Sequence, residues 1–374
     1  MHIARIRHLF YPDMPCDYFY ELSAQQVRRG HQVDVLTWKK DGGFTKERMA
    51  EGFFVHRLPG LNFGVKGIFH EYPYLPSLPA EIDALKPEVL HVESHLFLTA
   101  FQAVKKANRE HLPCVVTVHG VLAERGAIAD FVQGAYLRSF GLEVLQGADR
   151  VICLTKSDAE EIEKYGCPFE KIRLVPNAVD TQLFKPCKER EDSLVVWVGR
   201  FVPEKGLENL IKAAEIVSRR VSKARFLLIG YGPLKEKITK MANDHGLSKF
   251  VTIVGPMNRG EIAKILSRAT VFVFPSLKEG LPVSVLEAMA SEIPVVGTSV
   301  KGINEIILDQ QTGLLVPPRK AETLANSILT LLNNEKLRKK LGRNARRLVI
   351  EKYGWNLIIQ LLGKVYREAI TEAD

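Results

Sequence analysis

The sequence predicts an α/β protein of two domains, each a parallel sheet with crossover helices, and three observations lead there. Short β-branched runs alternate with helical patterns from end to end, the mark of strands joined through helices. At 374 residues the chain exceeds what one hydrophobic core ordinarily supports, so two domains are expected. A polar, proline-bearing stretch, PNAVDTQLFKPCKERED over residues 176–192, separates two series of such runs and reads as the linker.

In the first series the strand candidates are IARI near residue 3, QVDVLTW from Gln32, VLHV from Val89, CVVTVH from Cys114, VICL from Val151 and IRLV from Ile172. Helical stretches lie between them; YFYELSAQQVRRG is one, with Gly30 as its stop. The second series starts with LVVWVG from Leu194 and continues through FLLIG, VTIVG, VFVFP and VVGT. These runs are apolar throughout, as in strands covered on both faces. A long helical stretch closes the chain, ending in an amphipathic segment around Trp355 to Ile370. The expected domains are residues 1–180 and 181–354, with the helix 355–374 packing back on the first. Parallel sheets take ligands at the carboxyl ends of their strands, so a cleft shared by the two domains is the expected site.

Composition narrows the class. A hydrophobic content of 46% with 25% charged residues is that of a globular protein, not a disordered one. No run approaches the ~20 apolar residues that cross a bilayer. The opening MHIARIRHLF is interrupted by Arg5, Arg7 and His8 and lacks a secretory signal, so a cytoplasmic location is expected. The five cysteines are scattered without a C-x-x-C pair, which suggests neither a disulfide framework nor a zinc site. A formal charge of +9 favours anionic partners. Residues 319–352 hold ten Lys or Arg against three Glu, most of them in 336–352. That run reads either as a solvated helix face or as a basic surface that rests on an anionic membrane. Nucleic acid is disfavoured as a partner, because no aromatics interleave the basic residues and no recognition motif is visible.

Two segments carry chemistry. In VFVFPSLKEGLPVSVLEAMASEIPVVGTS, residues 271–299, a buried strand runs to Pro275 and a helix is expected to start with Pro282 at its first position. Backbone N–H groups from Gly280 to Ser284, at the positive end of the helix dipole, would form an anion seat suited to a diphosphate. Glu279 and Glu287 could then take sugar and ribose hydroxyls, although their spacing alone is equally that of surface charge. In VVWVGRFVPEKGLENL, residues 195–210, a strand ends at Gly199, and Arg200 and Lys205 flank a turn into a helix near Gly206. Two cations there could grip a leaving diphosphate; solvated loop charges are the plainer reading.

In this order and separation, G-R-x4-K-G, the G-x-G-P of LIGYGPL, E-G-L-P-x4-E-A-M-A, SEIPVVGT and TGLLVPP resemble the retaining glycosyltransferase family 4, the group 1 glycosyltransferases. The resemblance covers residues 170–350 and extends more loosely over the N-terminal half. It implies the GT-B fold, two Rossmann-like domains with parallel sheets facing across a cleft, the donor held mainly by the C-terminal one. It implies that Arg200 and Lys205 contact the donor diphosphate, Glu279 the transferred sugar and Glu287 the ribose. Backbone groups at Gly199, Gly280, Leu281 and Pro282 would complete the seat, and the loop of VTIVGPM, with Gly255 and Met257, would lie against the base. His119 in VVTVHG matches the histidine that faces the donor sugar; a lone histidine at a strand end would otherwise be a satisfied core residue. The catalytic set is thus His119, Arg200, Lys205 and Glu279. The chain departs from the family where a Gly-Gly loop usually follows the first strand. Here FYPDMPCDYFYEL brings Pro12, Asp13 and Met14, which leaves the acceptor open. Ala178 also stands where the family usually has glycine.

The function expected is retaining transfer of a hexosyl-type sugar from a UDP-, GDP- or ADP-sugar, without a cofactor, to a hydroxyl of a polysaccharide, lipid-linked or small-molecule acceptor. No Asp-x-Asp pair occurs, so metal-independent chemistry is expected. A sugar-nucleotide epimerase of the same architecture is the alternative. An NAD-dependent oxidoreductase fits poorly: Gly230-Tyr231-Gly232 lacks a third glycine, Lys235 standing in its place, and no acidic residue ends VTIVG.

Overall fold

Ile3, Ala4 and Ile6 are completely buried in β1 (His2–Arg7), and the first sheet extends from that strand in both directions. The computed structural model describes residues 1–10, 18–64, 71–120 and 127–373. In chain order the next strands are β2 (Gln32–Lys39), β3 (Thr45–Arg48), β4 (Phe54–Pro59), the short pair β5 (Leu61–Asn62) and β6 (Pro73–Tyr74), β7 (Val89–Glu93), β8 (Cys114–Val118), β9 (Arg150–Cys153) and β10 (Ile172–Leu174). The sheet order is β10-β9-β8-β7-β1-β2-β4-β3, parallel except for β3, which runs antiparallel to β4 at the edge. Strand order therefore reverses between β1 and β7, and the carboxyl ends of those neighbours form a topological switch point.

Every apolar run singled out in the sequence is a strand. β3 and β4 were not anticipated, and their sequences show why. TKER is polar throughout, as an exposed edge tolerates. FVHRLP carries His56 in its middle, wholly buried because Nε2 meets Asp34 at 2.7 Å and Nδ1 meets Glu81 at 2.7 Å. Tertiary partners make a polar side chain behave as core.

The second sheet consists of β11 (Leu194–Arg200), β12 (Arg225–Tyr231), β13 (Val251–Val254), β14 (Val271–Phe274), β15 (Val295–Thr298) and β16 (Gly313–Val316), in the order β13-β12-β11-β14-β15-β16 and all parallel. Here the reversal falls between β11 and β14. The fold is thus α/β, with parallel sheets in two Rossmann-like units.

Of the described residues, one unit holds those up to Pro176 and those from Ile358 onward; the other is Asn177–Leu357. The stretch 176–192, read as a linker, is largely packed into the second unit. Asn177, Val179 and Phe184 are buried, and Val179 bridges to Gly354. The closing helix Trp355–Ala373 brings Tyr366 into the first unit, where its hydroxyl lies 2.7 Å from His91 Nδ1 and accepts from Gln26 at 2.9 Å. Glu368 of the same helix accepts from Arg150 and Arg173.

In the basic run the helix Glu335–Lys352 buries Leu341, Gly342, Ala345 and Val349. Arg338 and Arg346 are committed inward, donating to the carbonyls of Leu331 and Leu332 and to that of Phe184. Lys340, Arg343 and Arg347 turn outward and line a recess of about 330 Å³ with Asn344. Among the described residues no helix is long and apolar enough to cross a membrane.

Candidate functional site

The reversal between β11 and β14 assembles the residues of interest in the second unit. β11 pairs with β14 through Val195↔Val271 and Val196↔Phe272; extending that register sets Arg200, the last residue of β11, level with Ser276, just past the end of β14. The chain after β11 makes a single tight turn, Pro203–Lys205, and Gly206 then takes φ +63° to open the helix Leu207–Arg220. Gly206 sits so close to the Pro275 carbonyl that any Cβ would overlap it. The Leu277 N–H donates to the Glu204 carbonyl at 2.7 Å. These contacts hold the cationic turn against the loop that follows β14.

Lys205 Nζ donates to Glu279 Oε1 as an ion pair whose two side chains keep 14% and 9% of their surface exposed. The ammonium also lies 5.2 Å from the centre of the Phe274 ring. Arg200 is exposed at the end of β11. The pair is thus sheltered but within reach, with a second cation open to solvent.

The helix that follows is Val283–Ala290, with Pro282 as its N-cap and no side-chain cap. The expectation of Pro282 at the first helical position is therefore corrected by one residue: its ψ of 116° is extended, so it precedes the helix. The first intrahelical bond runs from the Val285 N–H to the Pro282 carbonyl at 3.2 Å; the amides of Val283 and Ser284 precede it, and no side chain caps them. The loop after β15 closes the seat from the other side. Gly302 takes φ +75° and presses on the Gly280 carbonyl so tightly that no Cβ could be placed. The Thr298 hydroxyl donates to the Ser276 carbonyl.

Glu287 is the fifth residue of that helix and is buried, 7% exposed. Burial pushes its carboxyl up to about 7, against the opposing pull of Arg259, whose Nη2 lies 3.6 Å from Oε1. Arg259 begins the helix Arg259–Arg268, capped by a reciprocal Asn258–Glu261 box, directly after the loop holding Gly255 and Met257. Gly255 and Met257 are half-buried beyond the end of β13.

Arg200, Lys205, Glu279, Gly280, Leu281 and Pro282 are thus brought together along one sheet edge. Glu287 lies in the helix leading from it, tied to Arg259 beyond β13. Three contributors escaped the sequence reading. The Asn177 side chain, buried, donates to the Leu281 carbonyl at 2.8 Å and pins the seat from below; it stood in the quoted PNAVD with nothing local to mark it. Arg259 partners Glu287, and its only signal was the capping pattern beside it. Gly302 was passed over because a single glycine in a loop says little.

His119 belongs to the first unit, just past β8, with its side chain 26% exposed. Its Nε2 meets Glu93 Oε2 at 2.8 Å, and Phe19 stands edge-on to its ring at 5.1 Å. Pro12, Asp13 and Met14 lie outside the described residues. Among the described residues no group of three or more His, Cys, Asp or Glu is placed to hold a metal ion.

Residues 179–348 match the family model for "Glycosyl transferases group 1", and residues 17–183 match that for "Glycosyltransferase Family 4". The chain is 26% identical over 401 residues to a D-inositol 3-phosphate glycosyltransferase of Kineococcus radiotolerans, covering 95% of this chain and 90% of that one. It is 29% identical over 261 residues to an uncharacterized glycosyltransferase of Methanocaldococcus jannaschii, covering 70% of each. Among solved structures, a sucrose-phosphate synthase from Thermosynechococcus elongatus has the same fold, with a TM-score of 0.82 at 22% identity over 99% of both chains. The Anabaena protein HepE, solved in complex with UDP and glucose, has a TM-score of 0.80 at 18% identity, over 97% of this chain and 98% of that one.

Proposed function

Because the chain belongs to the group 1 glycosyltransferases of family 4, we propose that it moves a hexosyl-type sugar from a nucleotide-diphosphate sugar to a hydroxyl acceptor, with retention and without a metal. The observation that carries this reading is the convergence of Arg200, the Lys205–Glu279 pair and the uncapped start of the helix Val283–Ala290 at one switch point. The nucleotide in a solved structure of the same fold supports a nucleotide donor.

In the proposed reaction the bond from the anomeric carbon to the phosphate oxygen breaks, and the nucleoside diphosphate leaves with the electron pair. Arg200, Lys205 and the backbone N–H groups of Gly280, Leu281, Val283 and Ser284 stabilise that charge, an effect typically worth several kcal/mol of barrier in a preorganised site. The acceptor hydroxyl attacks the same face and gives its proton to the departing phosphate oxygen, so no carboxylate nucleophile is required. Glu279 holds the sugar, Glu287 the ribose hydroxyls, and Gly255 and Met257 flank the base. His119 acts on the transferred sugar. The acceptor is a glycan, lipid-linked or small-molecule hydroxyl.

The test is a thermal-shift panel of UDP-, GDP- and ADP-sugars followed by product analysis, since a ligand at 100 times its Kd adds about 2.7 kcal/mol to apparent stability. Stabilisation by one nucleotide class and its loss in Lys205→Ala are expected. No shift with any of them counts against the reading, and interconversion of the sugar nucleotide with no acceptor present would point to an epimerase.

We propose further that the outward residues Lys340, Arg343 and Arg347 rest on anionic lipid, each such cation near a charged bilayer adding about 1 kcal/mol. Co-flotation with phosphatidylglycerol vesicles but not with phosphatidylcholine vesicles, lost in R343E/R347E, is the expected result. Equal flotation by the variant would leave the run a solvated helix face.

A further inference from the structure

The first unit carries an ionic network that neither the fold nor the proposed donor site requires. Arg5 and Glu93 occupy neighbouring strands, β1 and β7, and their side chains keep 0% and 2% of their surface exposed. Arg5 Nε donates to Glu93 Oε1 at 3.0 Å, and its two other nitrogens donate to the Ser23 hydroxyl at 2.5 Å and to Gln26 Oε1 at 2.8 Å. Gln26 in turn donates to Tyr366. His91, beside Glu93, is tied to Tyr366 through Nδ1 and lies 2.7 Å from the Thr117 hydroxyl through Nε2. Burial holds His91 down to about 4, so it is neutral at physiological pH. Burial alone would favour a protonated Glu93; its neighbours His91, His119 and Arg5 outweigh that and hold the carboxyl far below the usual carboxylate range.

Such a network is an inefficient route to stability. Taking an Arg and a Glu out of water costs several kcal/mol per ion, and well-packed apolar residues of the same volume often serve as well or better. One member of the network reaches its exterior: His119, bonded to the second oxygen of Glu93. A carboxylate only accepts, so the nitrogen facing it carries the proton. In the neutral imidazole that contact puts the proton on Nε2 and leaves the lone pair on Nδ1. Phe19 stands edge-on to the ring, and the Arg7 guanidinium lies 3.6 Å from the centre of the Phe19 ring. His8 and His95, whose own protonation a charge on His119 opposes, are both held near 3, chiefly by burial, and are uncharged at neutral pH.

We propose that Glu93, locked by Arg5, is the positioning residue of His119, fixing its imidazole in the Nε2–H form so that Nδ1 is presented to the sugar. The proposal rests on the reading of His119 as the residue that acts on the transferred sugar.

The experiment combines nitrogen-15 NMR of histidine-labelled full-length protein with turnover, followed as nucleoside diphosphate release from UDP-, GDP- or ADP-glucose. The His119 signals are assigned by their loss in His119→Gln. In the wild type Nε2 is protonated and Nδ1 is not; in Glu93→Gln the ring shifts toward the Nδ1–H form. Turnover then drops on the order of 100-fold, with donor KM within about threefold. Glu93→Asp keeps the charge beside Arg5 but draws it back by one methylene; it gives a smaller change in the same direction and serves if Glu93→Gln does not fold. Loss of turnover in His119→Ala together with an unchanged tautomer and unchanged turnover in the Glu93 variants overturns the positioning role alone. Unchanged turnover in His119→Ala overturns the reading of His119 on which the proposal stands.

Discussion

Each unit gathers charge at the reversal of its own strand order, yet the two handle it in opposite ways. In the second unit Arg200 is exposed, and Lys205 and Glu279 neutralise each other while both keep a share of surface. On the donor reading proposed above, an arriving diphosphate would take over the Lys205 ammonium and leave Glu279 to the sugar hydroxyls. In the first unit Arg5 and Glu93 are shut in, and the His119 ring emerges from their network. Charge that meets a ligand is left with an exchangeable partner, whereas charge that holds a shape is paired where nothing can replace it.

The largest effect expected from this contrast is on stability. Arg5→Met leaves the Glu93 carboxylate buried without its permanent counter-charge and should lower the unfolding free energy by about 3–5 kcal/mol in chemical denaturation. A loss of under about 1 kcal/mol would erase the contrast. Arg200→Ala is the counterpart: an exposed cation whose removal leaves folding within about 0.5 kcal/mol while turnover drops roughly 100- to 1000-fold. Equal losses of stability in the two arginine variants would break the comparison from the other side.

Glu287 sharpens it further, since it is a buried group inside the exchangeable site. Its folded-state pKa, about 7, lies above the 4.5 of the free carboxyl. A raised pKa contributes stability that is full below 4.5 and is lost as pH climbs through 7, a fall of roughly 3 kcal/mol. Urea midpoints at pH 5 and pH 8 should therefore diverge in the wild type and converge in Glu287→Gln. The smallest effect belongs to Asn177→Ala, which frees the Leu281 carbonyl. About 1 kcal/mol of stability is expected to go with that hydrogen bond, and titration calorimetry should show donor affinity reduced about fivefold. Unaltered affinity would mean that the seat holds its shape unaided.

Much of this was legible in the sequence because the relevant signals are short-range. The proposed diphosphate seat is mostly one segment, loop and helix start in succession, and E-G-L-P followed by a helical pattern announces it. The apolar runs became strands because burial on both faces leaves no room for polar residues. β4 was hidden because His56 draws its partners Asp34 and Glu81 from a neighbouring strand and a later helix, at separations no window spans. β16, seen only as the motif TGLLVPP, is four residues between turn formers and too short to show a period.

What the sequence determined by itself was the class of chemistry: cations at the mouth of one strand, amides and carboxylates at the mouth of another, in a parallel α/β protein. The tertiary structure alone decided the pairing, with Lys205 against Glu279, Arg259 against Glu287, and Glu93 between Arg5 and His119. The reason is that a strand's neighbours follow from the crossovers of the whole sheet. Which charge meets which is settled only when distant strands come to lie side by side.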